Sequence, residues 1–166
     1  KVSFVEMSSV SNEGYIHSKI DKCLHEVNKG SYTYFAENDL IFAKITPCME
    51  NGKCALAKGL TNKIAFGSSE FHVFRCHEEI LPAYLFGFLN REKIRNEAVK
   101  HMTGSSGHRR VPIDFYEKMI IPLLTIEEQK AIVSKVEKLQ NEIIQARIVI
   151  DSVSSRKQAI LDKYLK

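Results

Sequence analysis

From Ile126 to Leu165 the chain contains no glycine and no proline, and that stretch limits what it can fold into. As one unbroken helix it would run about 60 Å, at ~1.5 Å per residue. Its entrance reads Ile121-Pro122-Leu123-Leu124-Thr125-Ile126-Glu127-Glu128-Gln129. Pro122 blocks helix behind it, and Thr125 with Glu128 has capping-box spacing. Glu127 and Glu128 place negative charge at the positive end of the helix dipole. Beyond that point apolar residues recur every seven positions: Ile132, Leu139, Ala146, Val153 and Ile160. Val136, Ile143 and Ile150 form a second row offset by four, continued by Tyr164 and broken by the polar Gln129 and Lys157. Two such rows predict a coiled-coil seam. A small globule cannot cover so long a seam, and the rest of the chain offers no second long helix. A partner is therefore expected, either a second copy in a homodimer or a segment of a longer chain. The plainer reading is a single amphipathic helix lying on its own domain, although globular helices usually run only ~8–20 residues.

With 166 residues, the chain has room for one ordinary domain, residues 1–121, ahead of the helical segment 122–166. The apolar share of 44% and charged share of 27% suit a globular protein. No apolar run is long enough for a membrane span. The start, Lys1-Val2-Ser3-Phe4-Val5-Glu6, lacks both a signal-peptide core and a methionine, so a fragment or trimmed chain is expected. Cys23, Cys48, Cys54 and Cys76 form no C-x-x-C pair. Reduced thiols and a cytoplasmic location are expected.

The domain reads as α+β, a compact mixed fold with a twisted, mostly antiparallel sheet and short helices. Strands are predicted at Phe4–Met7, Gly30–Phe35, Leu40–Ile45, Cys54–Ala57, Ile64–Phe66 and Phe71–Arg75, with a last one at Met119–Ile121. Leu40–Ile45 is almost wholly apolar, as in a strand buried on both faces. Phe71–Arg75 alternates, so one wet face is predicted. Pro82 opens a helix striped by Leu81, Leu85, Phe86 and Leu89. A more polar helix follows over Arg91–His101, then a loop over Met102–Arg110 and a helical turn at Pro112–Tyr116. No βαβ rhythm is present.

Most catalytic signatures are missing. There is no Walker loop, no G-x-G-x-x-G and no Asn/Asp-Pro-Pro-aromatic run, so no cofactor is expected. His72, Cys76 and His77 lie close together, but Cys48 and Cys54 lack zinc-pair spacing. Asp114, Glu117 and Lys118 echo a nuclease cluster only faintly, and the adjacent acid and lysine point to different faces.

Charge is more informative. The net charge is only +4, yet two windows contain no acid: Asn51–Ser69, with Lys53, Lys58 and Lys63, and Ala98–Ile113, with Lys100, Arg109, Arg110, His101 and His108. Local basic faces on a balanced chain suit a polyanion; solvated loops that happen to lack carboxylates are the bland alternative. Within the second window, Thr103-Gly104-Ser105-Ser106-Gly107-His108-Arg109-Arg110 supplies glycines whose amides can converge on an anion, two hydroxyls, and two guanidinium forks for phosphate or guanine. Lys44 through Lys53 forms a turn whose Glu50, Asn51 and Lys53 match base edges, although Thr-Pro and Asn-Gly are also common structural turns.

These residues carry a family resemblance. Asp39-Leu40-Ile41-Phe42-Ala43-Lys44-Ile45-Thr46-Pro47 followed by Glu50-Asn51-Gly52-Lys53 resembles a target recognition domain from the specificity subunit of type I restriction-modification systems. Phe66-Gly67-Ser68-Ser69-Glu70-Phe71, Leu81-Pro82-Ala83-Tyr84-Leu85 and Gly104-Ser105-Ser106-Gly107-His108-Arg109-Arg110-Val111 continue the pattern in order. Ile121-Pro122-Leu123, with Glu127 to Val133, resembles the entry to that family's spacer helix, and Arg156-Lys157-Gln158-Ala159-Ile160-Leu161 its close. The resemblance implies a non-catalytic subunit that reads half of a bipartite site on double-stranded DNA. It also implies docking of methyltransferase and restriction subunits, and an antiparallel helix pair that sets the half-site spacing. A full subunit has two such domains and two helices; one of each stands here, which implies a half-length subunit or a fragment.

The expected DNA contacts are Lys44, Asn51, Lys53, Ser105, Ser106, His108, Arg109 and Arg110, with Lys58 and Lys100 as further phosphate contacts. The expected dimer seam is Ile132, Val136, Leu139, Ile143, Ala146, Ile150, Val153 and Ile160. Two other readings stay open: the recognition end of a single-chain restriction-methylation enzyme, and a coiled-coil adaptor for proteins.

Overall fold

The computed structural model describes residues 1–165, and two compact units divide between Ile126 and Glu127. The first unit is α+β. In chain order its elements are β1 (Val2–Val5), β2 (Ile20–Lys22), α1 (Leu24–Val27), β3 (Thr33–Ala36), β4 (Leu40–Ala43), β5 (Cys54–Leu56), β6 (Ile64–Gly67), β7 (Phe71–Phe74), α2 (Pro82–Leu89), α3 (Glu92–Lys100) and α4 (Ile113–Glu117). One sheet has the order β2-β1-β6-β3; within it β1 and β6 are parallel and the other pairs antiparallel. The second sheet has the order β5-β4-β7 and is antiparallel throughout.

Side-chain alternation on the strands sets up the layers. Val5, Phe35 and Ala65 of the first sheet meet Ile41, Ala55 and Phe71 of the second in the main core. The opposite side of the first sheet packs Val2, Phe4 and Phe66 around Val27 of α1. The opposite side of the second packs Leu40, Phe42 and Cys54 against Leu85 and Leu89 of α2. All four residues of β4 are buried because a core lies on each face, as its unbroken apolar run predicts. A fourth cluster, Met49, Ala98, Met102 and Val111, ties α3 to the turn after β4 and to the segment before α4.

One buried charge joins the two sheets' loops. Asp39 is 1% exposed. Its carboxylate accepts the Ala36 N–H at 2.6 Å and two guanidinium N–H bonds from Arg75, at 2.8 and 2.7 Å. Its backbone carbonyl accepts the Ala57 N–H at 2.8 Å. The turn between β3 and β4, the exit of β5 and the end of β7 are thereby fixed to one another. Burying the carboxylate is tolerable because its oxygens are paired.

Three sequence expectations change. Met119–Ile121 is not a strand: no ladder partner lies there, and Met119 and Ile121 instead pack by their side chains around Leu85 and Leu89 while Ile120 is 91% exposed. β7 is partly covered on both faces, with Phe71 and Val73 against the main core and Phe74 against Tyr116, although His72, Val73 and Phe74 keep some exposure. β2 and α1 were not foreseen; Ile-Asp-Lys and Leu-His-Glu-Val are too short and too polar to show periodicity.

The second unit is one helix, α5 (Ile126–Tyr164), of 39 residues. Its heptad rows stay open in the single chain: Leu139 is 59% exposed, Ile143 52% and Ile150 62%. Among the described residues no helix is long and apolar enough to cross a membrane.

Removing the Asp39 carboxylate leaves the Ala36 amide and the Arg75 guanidinium without their shared acceptor. Asp39→Ala is expected to lower unfolding free energy by about 3 kcal/mol in a urea titration. A change below ~0.5 kcal/mol, the size of an ordinary surface substitution, would show that this pairing does not hold the loops.

Candidate nucleic-acid interface

Two segments more than fifty positions apart in the chain meet here by main-chain hydrogen bonds. Beyond β4 the Lys44 N–H donates to the Glu70 carbonyl at 2.9 Å, and the Lys44 carbonyl accepts the Val111 N–H at 2.9 Å. The Thr46 N–H donates to the Arg109 carbonyl at 2.9 Å. Ile45 and Arg110 thus form an antiparallel bridge. Arg110 makes a second bridge to Thr103, with N–H to carbonyl distances of 2.8 and 3.0 Å in the two directions. The segment Thr103–Arg110 is therefore a closed hairpin whose base extends the line of β4, rather than a free loop.

Its glycines serve that closure. Gly104 has φ +120°, and a Cβ there would stand 2.8 Å from the His108 carbonyl oxygen. Gly107 has φ +80° inside a turn closed by the His108 N–H to the Ser105 carbonyl at 2.9 Å; a type II turn requires a positive φ at that place. Ser105, Ser106 and His108 are exposed at the tip. In the structure the two glycines let the hairpin tip close tightly.

The two arginines differ. Arg110 donates Nε–H to Glu70 Oε2 at 2.9 Å and Nη2–H to Glu70 Oε1 at 2.7 Å, a bidentate pair. That bond, ahead of the burial which opposes it and the nearby charges of Arg110, Lys44 and His72, holds the Glu70 carboxyl below its usual pKa. Arg109 lies 3.7 Å from Glu50 Oε1, beyond hydrogen-bonding distance, and its side chain is 41% exposed. Glu50 Oε1 instead accepts the Thr46 hydroxyl at 2.8 Å, while Glu50 Oε2 is buried with no partner among the described residues. His72 Nε2 lies 2.8 Å from the Val111 carbonyl, and burial lowers its pKa first, with that carbonyl opposing and Lys44 adding to the fall.

The other expected contacts fall in three places. Asn51 is exposed on the turn after β4, beside Gly52 at φ +75°. Lys100 is exposed at the end of α3, with its ammonium 2.7 Å from Glu97. Lys53 turns inward: its ammonium donates to the carbonyls of Met7 at 3.1 Å and Val10 at 2.9 Å. Lys58 is exposed but follows β5 past Leu56, which pairs with Leu40 at the start of β4. It sits at the opposite end of that ladder from Lys44. Glu70, quoted in the sequence pattern without a role, is the residue that reading missed. Its partner Arg110 is far along the chain, and no local spacing announces such a pair. Among the described residues, no group of three or more His, Cys, Asp or Glu side chains is placed to hold a metal ion.

Residues 1–150 match the family model described as "Type I restriction modification DNA specificity domain". The chain belongs to that family. The Escherichia coli "Type I restriction enzyme EcoAI specificity subunit" is 37% identical over 144 residues, covering 85% of this chain and 24% of that protein. The EcoEI specificity subunit, also from Escherichia coli, is 38% identical over 141 residues, covering 84% and 24%. This specificity-domain chain thus spans about a quarter of the length of those relatives. The HsdS subunit from Thermoanaerobacter tengcongensis shares the fold, with a TM-score of 0.75, 24% identity and coverage of 98% of this chain and 42% of that one. A structure titled for complex assembly and conformational transition of the type I R-M system aligns with a TM-score of 0.76 at 24% identity, covering 99% and 42%.

Gly104→Ala meets both a carbonyl and an unfavourable φ. It is expected to cost ~1–3 kcal/mol locally and to speed hydrogen exchange at the Thr103 and Arg110 amides. Unchanged exchange there would mean that the hairpin tolerates a side chain at this position.

Proposed function

We propose that this specificity-domain chain reads duplex DNA at the joined surface of the turn after β4 and the hairpin Thr103–Arg110, and that it has no active site of its own. The observation that carries the reading is the main-chain ladder from Lys44–Thr46 to Arg109–Val111. It sets Asn51, Ser105, Ser106, His108 and Arg109 on one rigid base, the combination of hydroxyls, amides and forks that positions on phosphate and reads base edges. Lys44 and Lys100 supply further positive charge beside it. Lys53 and Lys58 leave the contact set, the first because its ammonium is committed inward and the second because it lies at the other end of the ladder.

The rest of the assembly follows from the helix. The rows Ile132, Leu139, Val153 and Ile160, and Val136, Ile143 and Ile150, are each 40% exposed or more. Ala146 sits between them. A second long helix covers such a seam well, supplied by another copy or by further length of the chain. Ile144, Ile148 and Val149, at 51%, 55% and 60% exposure, lie outside both rows and suit a docking methyltransferase subunit, with restriction subunits joining the complex. An antiparallel helix pair would hold two reading domains at a fixed separation, so that the half-sites are inverted and gapped. A cytoplasmic location fits this role.

Fluorescence anisotropy with a random-sequence duplex at two salt concentrations tests the DNA reading. Affinity is expected to fall steeply with salt, and Arg109→Ala to weaken binding and lower the salt slope by about 1. Salt-insensitive binding, unmoved by Arg109→Ala, would favour a protein adaptor instead.

Sedimentation tests the helix. The chain of 18.9 kDa is expected to run as a dimer, and a variant carrying Ile143→Asp and Ile150→Asp as a monomer. A wild-type monomer would assign the seam to a further segment of a longer chain.

A further inference from the structure

We propose that the two adjacent arginines have separate duties: Arg109 reaches the DNA, and Arg110 is a positioning residue, held by Glu70, that aims the hairpin. This rests on the DNA reading above and deepens it. Arg110 is already satisfied within the chain. Its fork spans both Glu70 oxygens, and its Nη1–H donates to the His108 carbonyl at 3.1 Å. Its backbone is bonded on both sides, bridging Ile45 and Thr103. Glu70 is equally committed. Its carbonyl accepts the Lys44 N–H and its own N–H donates to Ser68 Oγ at 3.2 Å. The side-chain pair therefore closes a ring of three segments: the exit of β4, the turn between β6 and β7, and the hairpin base. Taking Arg110 to a phosphate would open that ring and leave a carboxylate facing the DNA.

Arg109 has no such commitment. It sits one residue from the tip turn and is about as exposed as Arg110, at 41% against 44%, but its ion pair with Glu50 is loose, at 3.7 Å too long for a hydrogen bond. Adjacent residues on an extended segment point to opposite sides. One guanidinium is spent on a bidentate pair within the fold, and its neighbour, only loosely paired with Glu50, makes no side-chain hydrogen bond among the described residues.

The two assignments give opposite signs for one substitution. If Arg110 contacted DNA, Glu70→Gln would free it and remove a repelling charge, so affinity would rise. As a positioning pair, Glu70→Gln and Arg110→Gln are each expected to weaken duplex binding by roughly threefold to tenfold. The double variant is expected to be no weaker than either single one. In a salt titration with the same random-sequence duplex, Arg109→Gln should lower the salt slope by about 1, whereas Arg110→Gln leaves it unchanged. Hydrogen exchange without DNA supplies an independent readout. The Thr103 and His108 amides should exchange faster in Glu70→Gln and Arg110→Gln, while urea midpoints move little. Tighter binding by Glu70→Gln, additive losses in the double variant, or unaltered exchange at the hairpin in both single variants would each overturn the assignment. Loss of all salt-dependent binding by the wild type would instead remove the DNA reading, leaving hydrogen exchange to decide the Arg110–Glu70 tie.

Discussion

Backbone hydrogen bonds between Lys44–Thr46 and Arg109–Val111 are what the candidate surface depends on. Loops that carry recognition chemistry are usually mobile, and ordering them on binding costs conformational entropy. Here that ordering is built into the fold. The base of Thr103–Arg110 continues β4, the strand with a core on each face. Val111 is 1% exposed in the cluster with Met49, Ala98 and Met102, so the chain just past the hairpin is anchored in apolar packing. The hairpin beyond that anchor, Thr103–His108 with Arg110, is exposed to solvent. A rigid base with a small adaptable tip can keep donors in register with base edges.

On the proposed DNA reading, the carboxylates at this surface would shape what it discriminates. Glu50 and Glu70 stand beside Arg109 and Arg110, and Glu97 beside Lys100. A face meant only to grip any polyanion would omit them, because each weakens the pull on phosphate. Acids among the bases reduce indiscriminate attraction and penalise a misplaced duplex, which is how specificity is separated from affinity. Among the described residues, Glu50 Oε2 is a buried oxygen without a hydrogen-bond partner, and such a group carries a desolvation cost.

Much of the fold was legible where side-chain pattern and burial coincide. Leu40–Ala43, Cys54–Leu56 and Ile64–Gly67 show as strands because they are apolar and bounded by turns. Pro82 and the stripe Leu85–Leu89 mark α2, and the absence of breakers marks α5. The misreadings have a common physical cause. Met119-Ile120-Ile121 has strand-forming side chains, but strands need a partner with free backbone groups, and none is offered at that place. Lys53 has the charge of a phosphate contact, but its long stem lets the ammonium turn back onto two carbonyls. Lys58 shares an acid-free window with Lys53, yet the two flank β5 at its opposite ends. Proximity in sequence stood for proximity in space, and an extended strand broke that link. The Arg110–Glu70 pair was invisible for the converse reason: it joins residues 40 positions apart.

The helix and the reading surface impose different kinds of constraint, and together they narrow what the molecule can be. Its heptad rows include Ile132, Val136 and Leu139 toward one end and Val153 and Ile160 toward the other, all 40–59% exposed. Exposing such apolar seams to water is unfavourable, at ~25 cal/mol per Å², which supports the proposal that a second helix covers them. Covering them with a like helix fixes both partner and register, because each knob must find its hole. A single reading surface recognises only a few base pairs, which recur often in any long DNA. Two surfaces held at one separation multiply their discrimination, since a duplex must match both and the distance between them. On the proposed reading, the helix whose apolar rows are exposed here is therefore the same feature that would let a small recognition surface become selective.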